Sequence, residues 1–327
     1  MEQLVIQGLA MHRARTLNPA AADVCIVASP PDGKCEQWAS LCSKSSQPLV
    51  VIDATDADFV GQQGLRCQTL WRSMCKRSTT QFVLRVVGSP PVHGKRSVLL
   101  RRCRFVTIPW VSHATSALAA QQPGVERPIR IAFAAGITGH SMARVLGYEA
   151  WRRELHAACV RLHARNASHC KFVPQSLAGG GSHRAVALYA RSTFCLMPPG
   201  DTLARQGIAD AITFGCVPVF FHAGQLALWP WHWNATRGAV FEDWGAYLSM
   251  RPRNATAALE RLLHLPAAHV RKLRQEIARV APSFVYRPAH RARSQEQDAP
   301  DAVDAFLLSL EATLRKHTSA PRILQDA

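Results

Sequence analysis

Residues 192–221 constrain the fold of this chain more than any other stretch, and they read STFCLMPPGDTLARQGIADAITFGCVPVFF. Residues 193–197 and 217–221 are short apolar runs, which are typical of buried strands. The first run ends at two prolines and Gly200, where we expect a turn. The segment between the runs has room for one short helix, so the two strands are predicted to lie parallel in one sheet.

The chemistry of this unit lies where the predicted helix begins. Asp201 or Thr202 offers a side-chain oxygen that caps helices, and Gly215 is a residue type that ends them. Gly200 leaves room for a ligand beside the helix N-terminus, and we expect Arg205 in the first turn. The pattern predicts an anion site at the carboxyl edge of the sheet. The alternative is an ordinary strand-helix-strand unit whose arginine faces solvent.

The same stretch resembles the signature of the exostosin family of glycosyltransferases, also called family 47. That signature is close to FCL-x-P-x-GD-(S/T)-x-x-(S/T)-R followed by (D/E)-A-(I/L)-x-x-GC-(I/V)-PV. Ala204 stands where family members often carry serine or threonine, and Gln206 and Gly207 are also unusual, which bears on the sugar donor. The matching residues are Phe194, Cys195, Leu196, Pro198, Gly200, Asp201, Thr202, Arg205, Asp210, Ala211, Ile212, Gly215, Cys216, Val217, Pro218 and Val219.

Three other segments are similar to the same family. Residues 11–23 carry an RT dipeptide, a proline and then AD before an apolar run, although this composition also fits a helix capped by Thr16 or Asn18. Residues 105–110 resemble the family's strand that ends in IP. Residues 129–136 resemble the segment that opens its donor domain.

Strand and helix patterns alternate through two halves of the chain. They predict an α/β fold with two facing, doubly wound, Rossmann-like domains, and the resemblance implies the GT-B fold. We expect an acceptor-side domain at residues 1–126 and a nucleotide-sugar-binding domain at residues 127–286. Residues 287–327 are predicted to form a polar linker and an amphipathic helix that packs back. The resemblance covers roughly residues 10–285.

The hydrophobic pattern places the remaining elements. The predicted strands of the first half are residues 24–28, 48–53, 82–87 and 105–109. In the second half, residues 240–244 and 246–250 are predicted to be short strands or a strand and a turn. The predicted helices of the second half are residues 149–165, whose basic residues lie on the outer side, 254–265, 267–280 and 300–317. Residues 225–237 form a loop rich in tryptophan, whose rings either stack on sugars or pack between domains, and packing is favoured.

The composition narrows the classes of partner. A length of 327 residues with 48% hydrophobic residues suffices for two compact cores. The formal net charge is +17, but no basic cluster with interleaved aromatic residues is present, so we do not expect nucleic acid as a partner. A basic groove suits a nucleoside diphosphate or an anionic polysaccharide, and a merely basic surface is the alternative.

The sequence gives mixed indications about the compartment. No run of 18 apolar residues is present and no membrane anchor is predicted, whereas the resemblance implies the Golgi lumen or the Golgi membrane. Sequons at Asn166, Asn234 and Asn254 permit glycosylation in a secretory lumen. Ten cysteines fit either buried thiols or several disulfides, and we expect Cys195 and Cys216 in the core.

The resemblance implies transfer of a sugar from a nucleoside-diphosphate sugar, foremost a UDP-sugar, to a glycan or glycoprotein acceptor. The implied donor-binding residues are Gly200, Asp201, Thr202, Arg205 and Asp210. The resemblance implies that Arg205 stabilises the leaving phosphate and that Asp210 accepts hydrogen bonds from the ribose, unless Asp210 is an ordinary carboxylate on the helix surface. It implies that Asp201 contacts the sugar or caps the helix. No metal ion is expected, because Arg205, backbone N–H groups and the helix dipole would stabilise the leaving diphosphate. No other cofactor is expected, and the nucleotide sugar is a co-substrate.

Exostosin-like enzymes generally invert the anomeric configuration, which requires a general base near the acceptor hydroxyl. Asp53, Asp56, His113 and His140 lie at predicted strand ends or in adjacent loops, and the sequence leaves all four open. His140 is predicted to face the cleft between the domains and joins Arg205 as a candidate catalytic residue, or it is an ordinary loop histidine. The alternative function is a catalytically degenerate domain that binds glycan or a partner glycosyltransferase.

Overall fold

The structure is a computed structural model of the 327-residue chain. It describes residues 25–28, 49–53, 83–87, 104–114, 125–137, 148–175, 182–200, 203–242, 244, 254–286 and 300–318. None of the helices within these ranges is long and apolar enough to cross a membrane.

Four parallel strands form the first sheet. They are β1 Cys25–Ala28, β2 Leu49–Asp53, β3 Val83–Val87 and β4 Arg104–Thr107. The order across the sheet is β1-β2-β3-β4, with Val51 paired to Val27 on one side and to Arg85 on the other. Valine and isoleucine dominate the first three strands, and β-branched residues fit a pleated backbone. The four strands predicted for the first half are confirmed.

Five parallel strands form the second sheet. They are β5 Ile129–Ala135, β6 Cys170–Pro174, β7 Ser192–Met197, β8 Val217–Phe220 and β9 Val240–Phe241. Their order is β6-β5-β7-β8-β9, so the direction of winding reverses between β5 and β7. Ligands of such sheets bind where the winding reverses, at the carboxyl ends of the strands. The two parallel sheets confirm the predicted α/β class and are the arrangement that a GT-B fold requires.

Helices join the strands of the second half and continue beyond them. They are α1 Tyr148–Arg165, α2 Ser182–Ala190, α3 Gln206–Thr213, α4 Ala235–Gly238, α5 Ala255–Leu263, α6 Ala267–Val280 and α7 Ala302–Thr318. Helix α1 connects β5 to β6, α2 connects β6 to β7, and α3 connects β7 to β8. The four longer helices predicted from the sequence are confirmed to within two residues at each end.

Helix α3 begins later than the sequence predicted. Its N-cap residue is Arg205, which is extended at φ −139° and ψ 142° and whose side chain makes no capping hydrogen bond. The prediction that Asp201 or Thr202 caps this helix is therefore wrong, and Arg205 precedes the first turn instead of lying in it. The guanidinium of Arg205 binds two backbone carbonyls, which holds the backbone extended at this residue.

The C-terminus of α3 follows the prediction. Gly215 has a φ of 73°, a backbone conformation that residues other than glycine adopt only at a cost in free energy. The N–H of Gly215 donates to the carbonyl of Ile212 at 3.0 Å, and the N–H of Cys216 donates to Ala211 at 2.8 Å. These bonds satisfy carbonyls that the end of a helix leaves open.

The core of the second half surrounds β7, which is buried along its whole length. A strand that is covered on both faces needs an unbroken apolar run, as this one has. Cys195 in β7 forms a disulfide with Cys216, and a second disulfide joins Cys159 of α1 to Cys170 of β6. The prediction that Cys195 and Cys216 lie in the core is confirmed, and their pairing was not predicted.

Trp229, His232, Trp233 and Phe284 form a buried group that we call the tryptophan cluster. The rings of Trp229 and Trp233 meet the ring of Phe284 edge to face, with centroids 5.5 and 5.8 Å apart. The N–H of Trp229 donates to Thr107 Oγ1 at 2.8 Å, which ties the end of β4 to the cluster. The packing interpretation of the tryptophan-rich segment is confirmed for these residues.

Helix α7 also contacts the tryptophan-rich segment. His232 Nε2 donates to the carbonyl of Ala302 at 3.2 Å, and the ring centroids of Trp231 and Phe306 are 5.7 Å apart. Val303 is buried like Phe306, as the amphipathic pattern predicted. The domain boundaries after residues 126 and 286 stay predictions, and the strand predicted at residues 246–250 lies outside the described residues.

Candidate functional site

The carboxyl ends of β5 and β7 lie side by side where the second sheet reverses its winding. Strand β5 ends at Ala135 and is followed by Gly136, and β7 is followed by residues 198–200, which are buried. Two arginines, Arg152 and Arg205, contact these chain segments. We call the strand ends and the two arginines the switch-point edge.

Arg205 links the two strand ends. Its Nη1 donates to the carbonyl of Pro198 at 2.9 Å, and its Nη2 donates to the carbonyl of Ala134 at 3.3 Å. The residue is half-buried, so its guanidinium lies at the edge of the sheet and not in bulk solvent. A guanidinium beside a helix N-terminus forms charge-assisted hydrogen bonds to anions. The structure places Arg205 where that chemistry is available, and its role in binding an anion stays a prediction.

Arg152 of α1 contacts the same edge and was not predicted as a site residue. Its Nε and Nη2 donate to the carbonyl of Pro199 at 3.2 and 3.1 Å, and its Nη1 donates to the carbonyl of Gly136 at 3.2 Å. Only 5% of Arg152 is exposed, so placing all basic residues of this helix on its outer side was wrong. The helical period indicates the buried position, because Arg152 follows the buried Tyr148 by four residues and precedes the buried Leu155 by three.

Two glycines make room for side chains at this edge. A Cβ on Gly200 would lie 2.9 Å from Arg152 Nη2, which is closer than carbon and nitrogen tolerate. A Cβ on Gly207 would lie 3.2 Å from the hydroxyl of Tyr189, which is fully buried beneath the start of α3. Burial raises the pKa of Tyr189 to about 12. The sequence assigned Gly200 to ligand approach, and the structure adds the close approach of Arg152.

Asp210 lies in the middle of α3 and is buried. Its Oδ1 accepts from Ser112 Oγ at 2.9 Å and from the backbone N–H of His113 at 2.7 Å. Its Oδ2 lies 3.0 Å from His113 Nδ1. Both carboxylate oxygens are therefore engaged by the segment that follows β4. The predicted contact of Asp210 with a ribose stays a prediction, while the structure shows a carboxylate that fixes this segment against α3.

Some predicted residues lie outside the described residues, namely His140, Asp201, Thr202 and Asp56. Asp53 ends β2 as the sequence placed it. Within the described ranges, no group of three or more histidine, cysteine, aspartate or glutamate side chains could hold a metal ion. The prediction that no metal ion is required stays open to test.

The sequence of residues 77–234 matches the family model of the exostosin GT47 domain. Over 144 residues the chain is 33% identical to xyloglucan galactosyltransferase MUR3 of Arabidopsis thaliana, a match that covers 42% of this chain and 22% of that protein. Over 196 residues it is 30% identical to the probable xyloglucan galactosyltransferase GT17 of the same plant, which covers 58% of this chain and 39% of that protein. The chain thus spans well under half the length of these curated relatives.

The solved structures that align with the chain are more distant. The GtfA/B complex covers 87% of this chain and 61% of its own, with a TM-score of 0.44 and 11% sequence identity. Arabidopsis thaliana UGT89C1 complexed with UDP covers 94% and 77%, with a TM-score of 0.39 and 10% identity. Likenesses at this level carry no argument about function.

Proposed function

Because this chain belongs to the exostosin family of glycosyltransferases, we propose that it transfers a sugar from a nucleoside-diphosphate sugar to a glycan or glycoprotein acceptor. The observation that carries the proposal is the switch-point edge, where Arg205 lies at the N-terminus of α3. Guanidinium groups and helix N-terminal N–H groups both bind phosphate oxygens. The diphosphate of the donor is therefore assigned to this edge.

In the proposed reaction, the oxygen of an acceptor hydroxyl forms a bond to the anomeric carbon while the bond from that carbon to the diphosphate breaks. Negative charge grows on the diphosphate as it leaves. Arg205 stabilises this charge, and the N–H groups in the first turn of α3 contribute through the helix dipole. This stabilisation lowers the barrier because it is stronger in the transition state than in the bound donor.

Arg152 acts through the backbone and not on the donor. Its hydrogen bonds to the carbonyls of Pro199 and Gly136 fix the loops that follow β7 and β5 relative to each other. A binding site that is fixed before the ligand arrives loses less entropy when the ligand binds. We therefore assign Arg152 as a positioning residue of the donor site.

The first substrates to test come from the names of the relatives. MUR3 is named a xyloglucan galactosyltransferase, and GT17 is named a probable xyloglucan galactosyltransferase. We propose UDP-galactose as the donor and a xyloglucan oligosaccharide as the acceptor for the first assay. We also propose that the transfer inverts the anomeric configuration and needs no metal ion, because cationic protein groups take the place of a metal at the leaving diphosphate.

We propose a secretory compartment for the chain. Two disulfides lie in the described core, and structural disulfides form in oxidising compartments. Asn166, Asn234 and Asn254 are exposed, as acceptors of N-glycans must be. Treatment of the protein from a eukaryotic secretory host with an N-glycosidase should lower its mass, and unchanged mass would count against this compartment.

The transferase proposal is tested by a transfer assay with a panel of UDP- and GDP-sugars, a xyloglucan oligosaccharide, and buffers with EDTA or with Mn²⁺. We expect transfer from one donor, rates that survive EDTA, and a product whose anomeric configuration by NMR is opposite to that of the donor. Arg205→Ala should abolish transfer, while Arg153→Ala, at an exposed arginine of α1, serves as the matched control. A folded protein that binds glycan or another glycosyltransferase and releases no UDP would contradict the proposal.

A further inference from the structure

The segment that leaves β4 carries a histidine-carboxylate pair. His113 Nδ1 lies 3.0 Å from Asp210 Oδ2, and the other oxygen of Asp210 is held by Ser112 Oγ and by the backbone N–H of His113. Ser112 Oγ also lies 2.7 Å from Thr213 Oγ1, so the whole arrangement is tied to α3. A carboxylate held at three points fixes both the position and the rotation of the imidazole ring.

This pairing determines which ring nitrogen is available for chemistry. When Nδ1 of an imidazole donates to a carboxylate, the lone pair lies on Nε2. No hydrogen bond joins Nε2 of His113 to another residue that the structure describes. The His113 side chain is 32% exposed and that of Asp210 is 5% exposed, so the ring reaches solvent while its carboxylate partner does not.

The ring lies next to the switch-point edge. Gln206, which directly follows Arg205, donates from Nε2 to the carbonyl of Val111 at 3.0 Å and lies 3.4 Å from His113 Nδ1. The ring of His183, in the first turn of α2, has its centroid 6.4 Å from that of His113. Helices α2 and α3 both begin at the carboxyl edge of the second sheet, so His113 lies at the same edge as Arg205.

We propose that His113 is the general base of the transfer reaction and that Asp210 is its positioning residue, an inference that rests on the proposed function. Nε2 takes the proton of the acceptor hydroxyl as its oxygen bonds to the anomeric carbon and the nucleoside diphosphate leaves with the electron pair. The proton then passes from His113 to solvent. Among the four candidate bases in the sequence, the structure describes the side chain of His113, and this side chain has an orienting carboxylate.

The test compares His113→Ala with His183→Gln, a matched control at the neighbouring histidine. We expect His113→Ala to lower kcat by about 100-fold or more, while the dissociation constant of UDP stays within about threefold of the wild type. Added imidazole should restore part of the rate of His113→Ala, because a free base can enter the space that the side chain leaves. Asp210→Asn should lower kcat at least about tenfold.

The pH profile separates catalysis from a structural role. The charged and titratable groups that the structure describes around the ring are Asp210 and His183. The loss of kcat towards acid that a protonated base causes should be present in the wild type and in His183→Gln and absent from His113→Ala. Unchanged kcat in His113→Ala, or a loss of kcat that accompanies lost UDP affinity without rescue by imidazole, would overturn the proposal.

A measurement without substrate keeps the inference testable even if no donor is found. Nitrogen-15 NMR of the histidine side chains reports which ring nitrogen carries the proton. The proposal requires the Nδ1–H tautomer for His113, and Asp210→Asn should reduce its population. An Nε2–H tautomer in the folded wild type would overturn the assignment, while wild-type transfer that fails with every donor would overturn the proposed function itself.

Discussion

The switch-point edge and the tryptophan cluster are both buried junctions of distant chain segments. The edge is held together by polar hydrogen bonds, and the cluster by packed aromatic rings. At the edge, the guanidinium groups of Arg152 and Arg205 bind backbone carbonyls at two strand ends. In the cluster, Trp229 and Trp233 pack edge to face on Phe284. Polar groups held at fixed positions bind ligands, whereas interlocking rings mainly bury apolar area. Substitutions at the edge should therefore change binding, and substitutions in the cluster should change stability.

Removing a ring from the cluster should have the largest effect on stability. Trp229→Ala deletes a fully buried indole and should lower the free energy of unfolding by about 3–5 kcal/mol. Trp231→Ala, at a half-buried ring, is the control and should cost about half as much or less. Urea denaturation measures both. A functional role for the cluster would be indicated instead if folded Trp229→Ala lost UDP affinity.

The next effect is the acid sensitivity of the cluster. Burial lowers the pKa of His232 to about 4, although its hydrogen bond to Ala302 opposes the shift. The unfolded chain, with a histidine pKa near about 6.5, binds a proton between these two values while the folded chain does not. The contribution of neutral His232 to the free energy of unfolding is thus fully present above about pH 6.5. The free energy of unfolding should fall by about 3 kcal/mol as the pH is lowered towards 4.

Substitution of the histidine tests this assignment. His232→Gln should flatten the dependence of unfolding free energy on pH between about 4 and 6.5. His269→Gln, at an exposed histidine of α6, should leave the dependence as it is in the wild type. If both variants keep the wild-type slope, His232 is not the group responsible.

A pair of glycines gives the smallest and sharpest contrast. A Cβ on Gly200 would meet Arg152 Nη2 at 2.9 Å, and a Cβ on Gly238 would meet the ring of Trp233 at 3.2 Å. Gly200→Ala should displace the Arg152 guanidinium and weaken UDP binding about tenfold, the worth of one hydrogen bond to a charged group. Gly238→Ala should reduce stability without changing UDP affinity. Calorimetry measures the UDP affinity of both variants, and thermal unfolding measures their stability. Equal UDP affinity in the two variants would contradict the predicted difference.

Much of the fold was readable from the sequence because local signals and tertiary structure agree. The apolar runs of β1 to β5 and β7 are strands, and Gly215 ends α3 with the φ that glycine permits. The motif in residues 192–221 placed Arg205 in the first turn of α3, and the structure places it one residue earlier, at the N-cap. These features depend on neighbouring residues, which a sequence displays directly.

The features that the sequence did not reveal depend on contacts between distant residues. Arg205 binds the carbonyl of Ala134, 71 residues earlier, so the late start of α3 has no local signal. Ser112 and Asp210 are 98 residues apart, and their bond appears only when β4 and α3 come together. Arg152 is different, because its place in the helical period of α1 was visible, but a charged residue was assigned to the solvent side.

The central claim is that the switch-point edge binds the diphosphate of the donor, and titration calorimetry with UDP tests it most directly. We predict saturable binding to the wild type with and without EDTA, and binding weakened by on the order of 10- to 100-fold in Arg205→Ala. Arg153→Ala should bind like the wild type, which excludes a general effect of net charge. A folded wild type that binds no UDP, or Arg205→Ala with wild-type affinity, would contradict the claim.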